Sequence, residues 1–238
     1  MTTTKIALVT GANKGIGKEI ARQLGSLGMA VLVAARDADR GRDAAGELAA
    51  AGIDARPVLL DVTDEESVAA VAKQLERDYG RLDVLVNNAG ILADRDGAST
   101  EDFLRTYQTN VVGVVTVTRA MLPLLAKASE PRVVNLSSEL GSLARLADPT
   151  SRQAGIVLYA YNSSKAALNA VTVMFANEVR EAGIKVNAVS PGYCATDMND
   201  HRGVRTAAEG ASVAVRLATV PSTGPSGTFH GEDGPLPW

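Results

Sequence analysis

Short runs of β-branched and aliphatic residues alternate with longer stretches of helical period through nearly the whole of this chain. The runs are residues 6–9, 31–35, 58–60, 82–86, 133–136 and 186–189, with a last short one at 227–229. They do not alternate apolar with polar side chains, which is the pattern of strands covered on both faces. The intervening stretches have helix punctuation. Ile16, Ile20, Leu24 and Leu27 fall on one face of 15–27, and Thr63-x-x-Glu66 is a capping-box pattern ahead of a stop at Gly80. Thr206-x-x-Glu209 repeats that signal, and two longer helices are expected over about 100–127, kinked or ended near Pro123, and 157–182, closed by Gly183. Such alternation implies a seven-stranded, mostly parallel, doubly wound α/β sheet with right-handed crossovers and helices on both faces. Only 142–155 lacks clean periodicity, and it is read as a loop over something functional.

Composition narrows the function. At 238 residues without an evident linker, the chain is read as a single domain spanning 1–238. The 24 basic and 27 acidic residues leave a net charge of −3, which argues against a nucleic-acid or membrane-surface partner. One cysteine, Cys194, and two distant histidines, His201 and His230, exclude an internal disulfide and make a metal site unexpected. No apolar run reaches the roughly 20 residues of a membrane span, and residues 1–5 lack signal-peptide shape, so the reading is soluble and cytoplasmic.

The first apolar run ends in Thr10-Gly11-Ala12-Asn13-Lys14-Gly15-Ile16-Gly17, where a helix begins. Glycines here serve a tight turn (Gly11), close approach of backbone to a pyrophosphate (Gly15) and packing of helix on sheet (Gly17). The helix N-terminus adds unpaired N–H groups and partial positive charge. The expectation is a Rossmann dinucleotide-binding fold.

The glycine spacing is G-x-x-x-G-x-G, which resembles the short-chain dehydrogenase/reductase family. Further motifs follow in that family's order: Asp61-Val62, Asn87-Asn88-Ala89-Gly90, Asn110, Ser138 with Gly141 three residues on, Tyr161-Asn162-Ser163-Ser164-Lys165, and Pro191-Gly192. The resemblance implies cofactor contacts from Gly11, Asn13, Lys14, Gly15, Ile16, Gly17, Asp61 (against the adenine ring), Val62, Asn88, Ala89, Gly90, Pro191, Gly192 and Thr196, the last to the nicotinamide carboxamide.

The residue ending the second run selects between cofactors. An NAD enzyme wants a carboxylate there for the ribose hydroxyls, and an NADP enzyme wants a cation for the 2′-phosphate. Ala35 occupies the carboxylate position, Arg36 follows it, and Lys14 can reach the same phosphate, which favours NADP(H). Asp37 lies 20 residues after Gly17 but two positions beyond the run, where it is expected to cap the next helix.

Carbonyl reduction also needs a proton source and a donor to the carbonyl oxygen. Tyr161 and Lys165, four apart, share one helix face, and an ammonium one turn away would stabilise a phenolate whose reference pKa is about 10. By the resemblance, Ser138 donates to the substrate oxygen and Asn110 holds a water linking Lys165 to solvent. Tyr159 competes with Tyr161 but is followed four residues on by Ser163 rather than a cation, and Ser137 lacks the Ser-x-x-Gly spacing of Ser138. The lone Cys194 is read as a small buried thiol, and His201 as polar loop surface.

Ser138 and Tyr161 stand 23 residues apart, a longer gap than in simple bacterial ketoreductases of the family. The extra length, with the Asn13-Lys14 and Ala35-Arg36-Asp37 patterns, resembles the carbonyl-reductase branch. It can shape the pocket, obstruct assembly into the dimer or tetramer usual in the family, or do neither. The expected function is NADPH-dependent, reversible reduction of a small-molecule ketone or aldehyde. Two alternatives stand beside it, a ketoacyl-thioester reductase serving an acidic carrier protein and a non-catalytic NADP-binding redox sensor.

Overall fold

A computed structural model describes residues 4–93 and 98–238. The strands are β1 (Ile6–Thr10), β2 (Ala30–Ala35), β3 (Ala55–Leu59), β4 (Val84–Asn87), β5 (Arg132–Leu136), β6 (Lys185–Val189), β7 (Phe229–Gly231) and β8 (Gly234–Pro235). They form one sheet in the order β3-β2-β1-β4-β5-β6-β7-β8, parallel except for β7 against β8. The expectation of seven strands is corrected to eight. A tight turn after Gly231 lets Gly234 and Pro235 pair back on β7, too short a return to leave an apolar run.

Helices α1 (Gly15–Ser26), α2 (Ala38–Ala50) and α8 (Ala207–Ala218) bury their apolar stripes on one face, with Ile20, Leu24, Leu48 and Leu217 against Val9, Val31 and Val86. On the other face α3 (Glu65–Tyr79), α5 (Gly113–Leu125) and α7 (Tyr159–Glu178) pack Val71, Leu75, Met121 and Phe175 on Leu8, Leu32 and Leu85. The central strands are buried along their whole length, as their unbroken apolar runs require. β3 is an edge strand: Arg56, Pro57 and Leu59 are exposed and only Val58 is buried, so its apolar signal covered just its end. No helix of the described residues is long and apolar enough to cross a membrane.

Three other expectations are corrected by local chemistry. Asp64, not Thr63, caps α3 by accepting from Glu66 N, because the Thr63 hydroxyl donates to Asp61 at 2.7 Å. The long helix over 100–127 is α4 (Thr100–Tyr107), a π-helical turn (Gln108–Val112) and α5, with Pro123 in the last turn. The segment 142–155 is not all loop: it holds the short α6 (Leu143–Ala147) and a 3₁₀ turn (Arg152–Gly155). Thr206 forms the expected capping box with Glu209, and Asp37 caps α2 by accepting from Asp39 N and Arg40 N.

A buried polar chain crosses the middle of the sheet and fixes α7. Asn87 Nδ2 on β4 donates to Thr118 Oγ1 of α5 at 3.0 Å and to Asn135 Oδ1 of β5 at 2.9 Å. Asn135 Nδ2 in turn donates to Thr172 Oγ1 of α7 at 2.9 Å. All four side chains are buried, so removing one strands its neighbours. Asn135→Ala is therefore expected to destabilise the chain by about 2–3 kcal/mol and lower Tm by roughly 4–12 °C in thermal unfolding followed by circular dichroism. An unchanged Tm would show that the chain carries no such weight.

Candidate active site

Strand order reverses between β1 and β4, and the loops leaving their C-terminal ends part to form a cleft of about 870 Å³. One wall is the turn from β1 into α1. Gly11 and Gly15 there have φ of +61° and +56°, a conformation that favours glycine. A Cβ on Gly11 would lie 3.0 Å from Ala89 Cα, and one on Gly17 would lie 2.5 Å from the Gly11 carbonyl oxygen. The turn thus presses onto the loop after β4 and keeps its backbone bare toward the cleft. Asn88 locks the two together, its Nδ2 donating to Thr10 O at 2.8 Å and Gly11 O at 3.1 Å.

The cleft wall contains every residue expected from the glycine turn (Gly11, Asn13, Lys14, Gly15, Ile16, Gly17), together with Arg36, Asp61, Val62, Asn88, Ala89, Gly90 and Thr196. Its volume, its bare glycine backbone and the N-terminus of α1 suit a dinucleotide. Arg36 enters no ion pair among the described residues, whereas Lys14 Nζ lies 2.6 Å from Asp197 Oδ2. Bonds from Thr63 hold the Asp61 carboxyl below its usual range, so it is ionised. Pro191 and Gly192 are not part of the wall. Pro191 O accepts from Cys194 Sγ at 3.2 Å, and Gly192 packs on the Arg205 side chain. Cys194 is buried. Among the described residues no cluster could hold a metal.

The other expected residues meet where α7 crosses the end of β5. Lys165 is buried, and its Nζ donates to Leu136 O at 2.8 Å. Its ammonium sits 5.6 Å from the centroid of the Tyr161 ring. It also lies 3.5 Å from where a Cβ on Gly90 would stand, directly behind that part of the cleft wall, although Lys165, Tyr161, Ser138 and Asn110 do not themselves line the cleft. Tyr161 hydrogen-bonds to Ser138, whose Oγ accepts from Leu140 N at 3.2 Å. Gly141 must be glycine, since a Cβ there would meet the Lys165 carbonyl carbon at 2.6 Å.

Asn110 lies in the π-helical turn, a distortion often found at functional sites. Its Oδ1 accepts from Ile91 N at 2.8 Å, and its Nδ2 donates to Ile91 O at 2.9 Å and to Ser164 Oγ at 3.0 Å. Burial pushes the Tyr161 phenol up to about 12, partly offset by Ser138, and pushes the Lys165 ammonium down to about 8. Both shifts disfavour charge at these buried positions, and both relax when an opposite charge lies close by.

The competitors separate cleanly. Tyr159 is 67% exposed, and Ser137 is buried with its Oγ donating to Asn169 Oδ1 at 2.6 Å. Sequence reading overlooked Ser164 and Asn169, which fix Asn110 and Ser137. Their signal was a run of polar residues where a buried helix face was due. It gave no individual role to Asp197 and Met198, which line the cleft directly after Thr196; His201 is exposed loop surface, as expected, and lines the cleft beside them. Residues 94–97, in the stretch after Gly90, fall outside the described residues.

Comparison with known proteins gives the family of the chain. The sequence profile of the short chain dehydrogenase family matches residues 5–206. A short-chain dehydrogenase of Penicillium roqueforti is 37% identical over 225 residues, spanning 91% of this chain and 89% of that protein. Salutaridine reductase of Papaver somniferum is 33% identical over 298 residues, spanning 97% and 95% respectively. The crystal structure of an NADPH-bound carbonyl reductase from chicken fatty liver has a TM-score of 0.86 at 29% identity and covers 100% of both chains. With that profile spanning most of its length and relatives this similar, the chain belongs to the short chain dehydrogenase family.

Proposed function

We propose that this protein is an NADP(H)-dependent reductase of ketones or aldehydes, acting reversibly. The observation that carries the reading is a buried ammonium directly behind Gly90 of a dinucleotide-sized cleft, with the Tyr161 ring beside that ammonium and the Ser138 hydroxyl bonded to the phenol. Gly11, Asn13, Gly15, Ile16, Gly17, Val62, Asn88 and Ala89 would hold the dinucleotide, with Arg36 and Lys14 taking the 2′-phosphate. The bound cofactor supplies the hydride.

The chain's own residues handle the oxygen and the proton. Ser138 Oγ donates to the carbonyl oxygen and holds it beside Tyr161. The Tyr161 hydroxyl delivers its proton to that oxygen as negative charge develops there. Lys165, charged below about 8, stabilises the phenolate left behind. Asn110 secures the Ile91 backbone and Ser164, and so the route by which Lys165 is reprotonated.

The surroundings favour a neutral, apolar carbonyl compound over a carrier-bound thioester. Of the described Arg and Lys side chains in 140–158 and 193–205, Arg145 is paired with Glu139, Arg202 with Asp200 and Arg205 with Glu232, which leaves Arg152 to meet an acidic carrier. Leu143, Val157, Tyr193 and Met198 in the same segments are exposed apolar side chains.

Tyr161→Phe is expected to lower kcat for NADPH-linked reduction of a ketone by about 10²–10⁴-fold while the dissociation constant for NADP⁺ stays unchanged. Near-full turnover would refute the assignment. Reductive kcat/KM is expected to fall as pH rises through about 8, where the ammonium loses its proton, and Lys165→Arg should flatten that decline. Arg36→Ala is expected to weaken NADPH binding about 10–100-fold and to leave NADH binding nearly as it was, as read by calorimetry. Equal losses for both cofactors would remove Arg36 from the phosphate site.

A further inference from the structure

The two cations assigned to the 2′-phosphate are not equivalent. Arg36 makes no ion pair among the described residues and only a weak electrostatic contribution to Asp61, but Lys14 is already paired with Asp197 at 2.6 Å. The other oxygen of that carboxylate, Oδ1, lies 3.0 Å from His201 Nε2. Asp197 therefore stands between two basic side chains on the rim of the cofactor cleft.

The placement is built. Asp197 opens a 3₁₀ turn (Asp197–Asn199) whose preceding residue, Thr196, donates its N–H to Asn199 Oδ1 at 3.2 Å, and Asn199 Nδ2 donates to Cys194 O at 2.8 Å. Asp200 and His201 then turn the chain with φ of +53° and +57°, a conformation costly to non-glycine residues. His201 N–H closes the loop on Thr196 O at 3.0 Å. Thr196 Cγ2 stands 3.6 Å from where a Cβ on Gly15 would be, so the turn rests on the glycine loop. Lys14 holds the carboxyl of Asp197 below its usual range, with a smaller contribution from His201, so the carboxylate is ionised.

A lysine ammonium cannot serve two anions fully. When a 2′-phosphate arrives, Lys14 either leaves Asp197 or brings a dianion toward a carboxylate, and each course weakens binding. NAD(H) makes no such demand on Lys14. We propose that Asp197 is a cofactor-specificity residue, competing with the 2′-phosphate for Lys14 and thereby lowering affinity for NADP(H) selectively. This rests on the reading of the cleft as a dinucleotide site.

Calorimetric titration of the full chain with NADP⁺ and with NAD⁺ tests it. Asp197→Asn should tighten NADP⁺ about two- to fivefold and leave NAD⁺ binding unchanged within error, the range expected from freeing one half-exposed charge. In a Lys14→Met background the same substitution should leave NADP⁺ binding unchanged, since the cation under competition is gone. No gain for NADP⁺, an equal gain for both dinucleotides, or a gain that persists without Lys14 would each overturn the proposal. A wild-type chain that bound neither dinucleotide would overturn the oxidoreductase reading itself.

Discussion

An ammonium removed from water must find acceptors inside the protein or give up its proton. Lys165 is 5% exposed, and its position sets the terms for everything around it. The carbonyl at the end of β5 accepts from it, the ring of Tyr161 lies over it, and burial brings its pKa down to about 8. A charge held where water is scarce acts on a nearby phenol more strongly than the same charge at the surface. For that arrangement α7 must cross the sheet in one register. Asn169 keeps it there by accepting from Ser137 and donating to Gly141 O at 3.1 Å. Asn135 holds Thr172 one turn further along.

The opposite side of the crevice has a different origin. A cleft at the point where strand order reverses follows from topology alone, because the loops after β1 and β4 diverge over opposite faces of the sheet. What joins cleft to cation is the small residue at 90. Its neighbours on the inner side are Asn110 Oδ1, 3.3 Å from a would-be Cβ, and Lys165 Nζ. The π-helical turn that carries Asn110 aims its amide at Ile91, the next residue in the same loop. Both halves of the crevice are therefore tied to a stretch of backbone two residues long.

Much of this was legible in the chain. The apolar runs placed the central strands within a residue or two, since a strand covered on both faces has no polar interruptions to blur its ends. The edge strand β3 was read short because Arg56 and Pro57 face water, and β8 was invisible because two residues carry no pattern. Family motifs located Tyr161, Lys165, Ser138 and the glycine turn. The buried polar partners escaped because Asn87, Asn135 and Thr172 look like blemishes in apolar elements until the fold lines them up. The break in the long helix was hidden for another reason. A π-helical turn is set by what Asn110 must reach and not by any propensity of Gln108–Val112.

The insert before α7 can now be placed physically. It packs on its own chain: Ser142 Oγ donates to Pro237 O at 2.8 Å, Ala144 N donates to Trp238 O at 2.8 Å, and Trp238 stacks on Phe229 at 5.6 Å. At its start Glu139 binds Arg145 and accepts from Gln153 Nε2 at 2.6 Å, which gathers α6 and the 3₁₀ turn around one carboxylate. At its end the Ile156 carbonyl accepts from Asn162 Nδ2 at 2.8 Å. Glu139 follows Ser138 and Asn162 follows Tyr161, so the insert is anchored by the chain neighbours of the two hydroxyl-bearing residues. A shift of the insert would therefore reach the hydroxyls through one peptide unit at either end. The cofactor cleft beyond Gly90 shares none of these anchors. The insert and the Ser138 and Tyr161 hydroxyls are in this way mechanically linked, while the dinucleotide groove can keep its form as the insert changes.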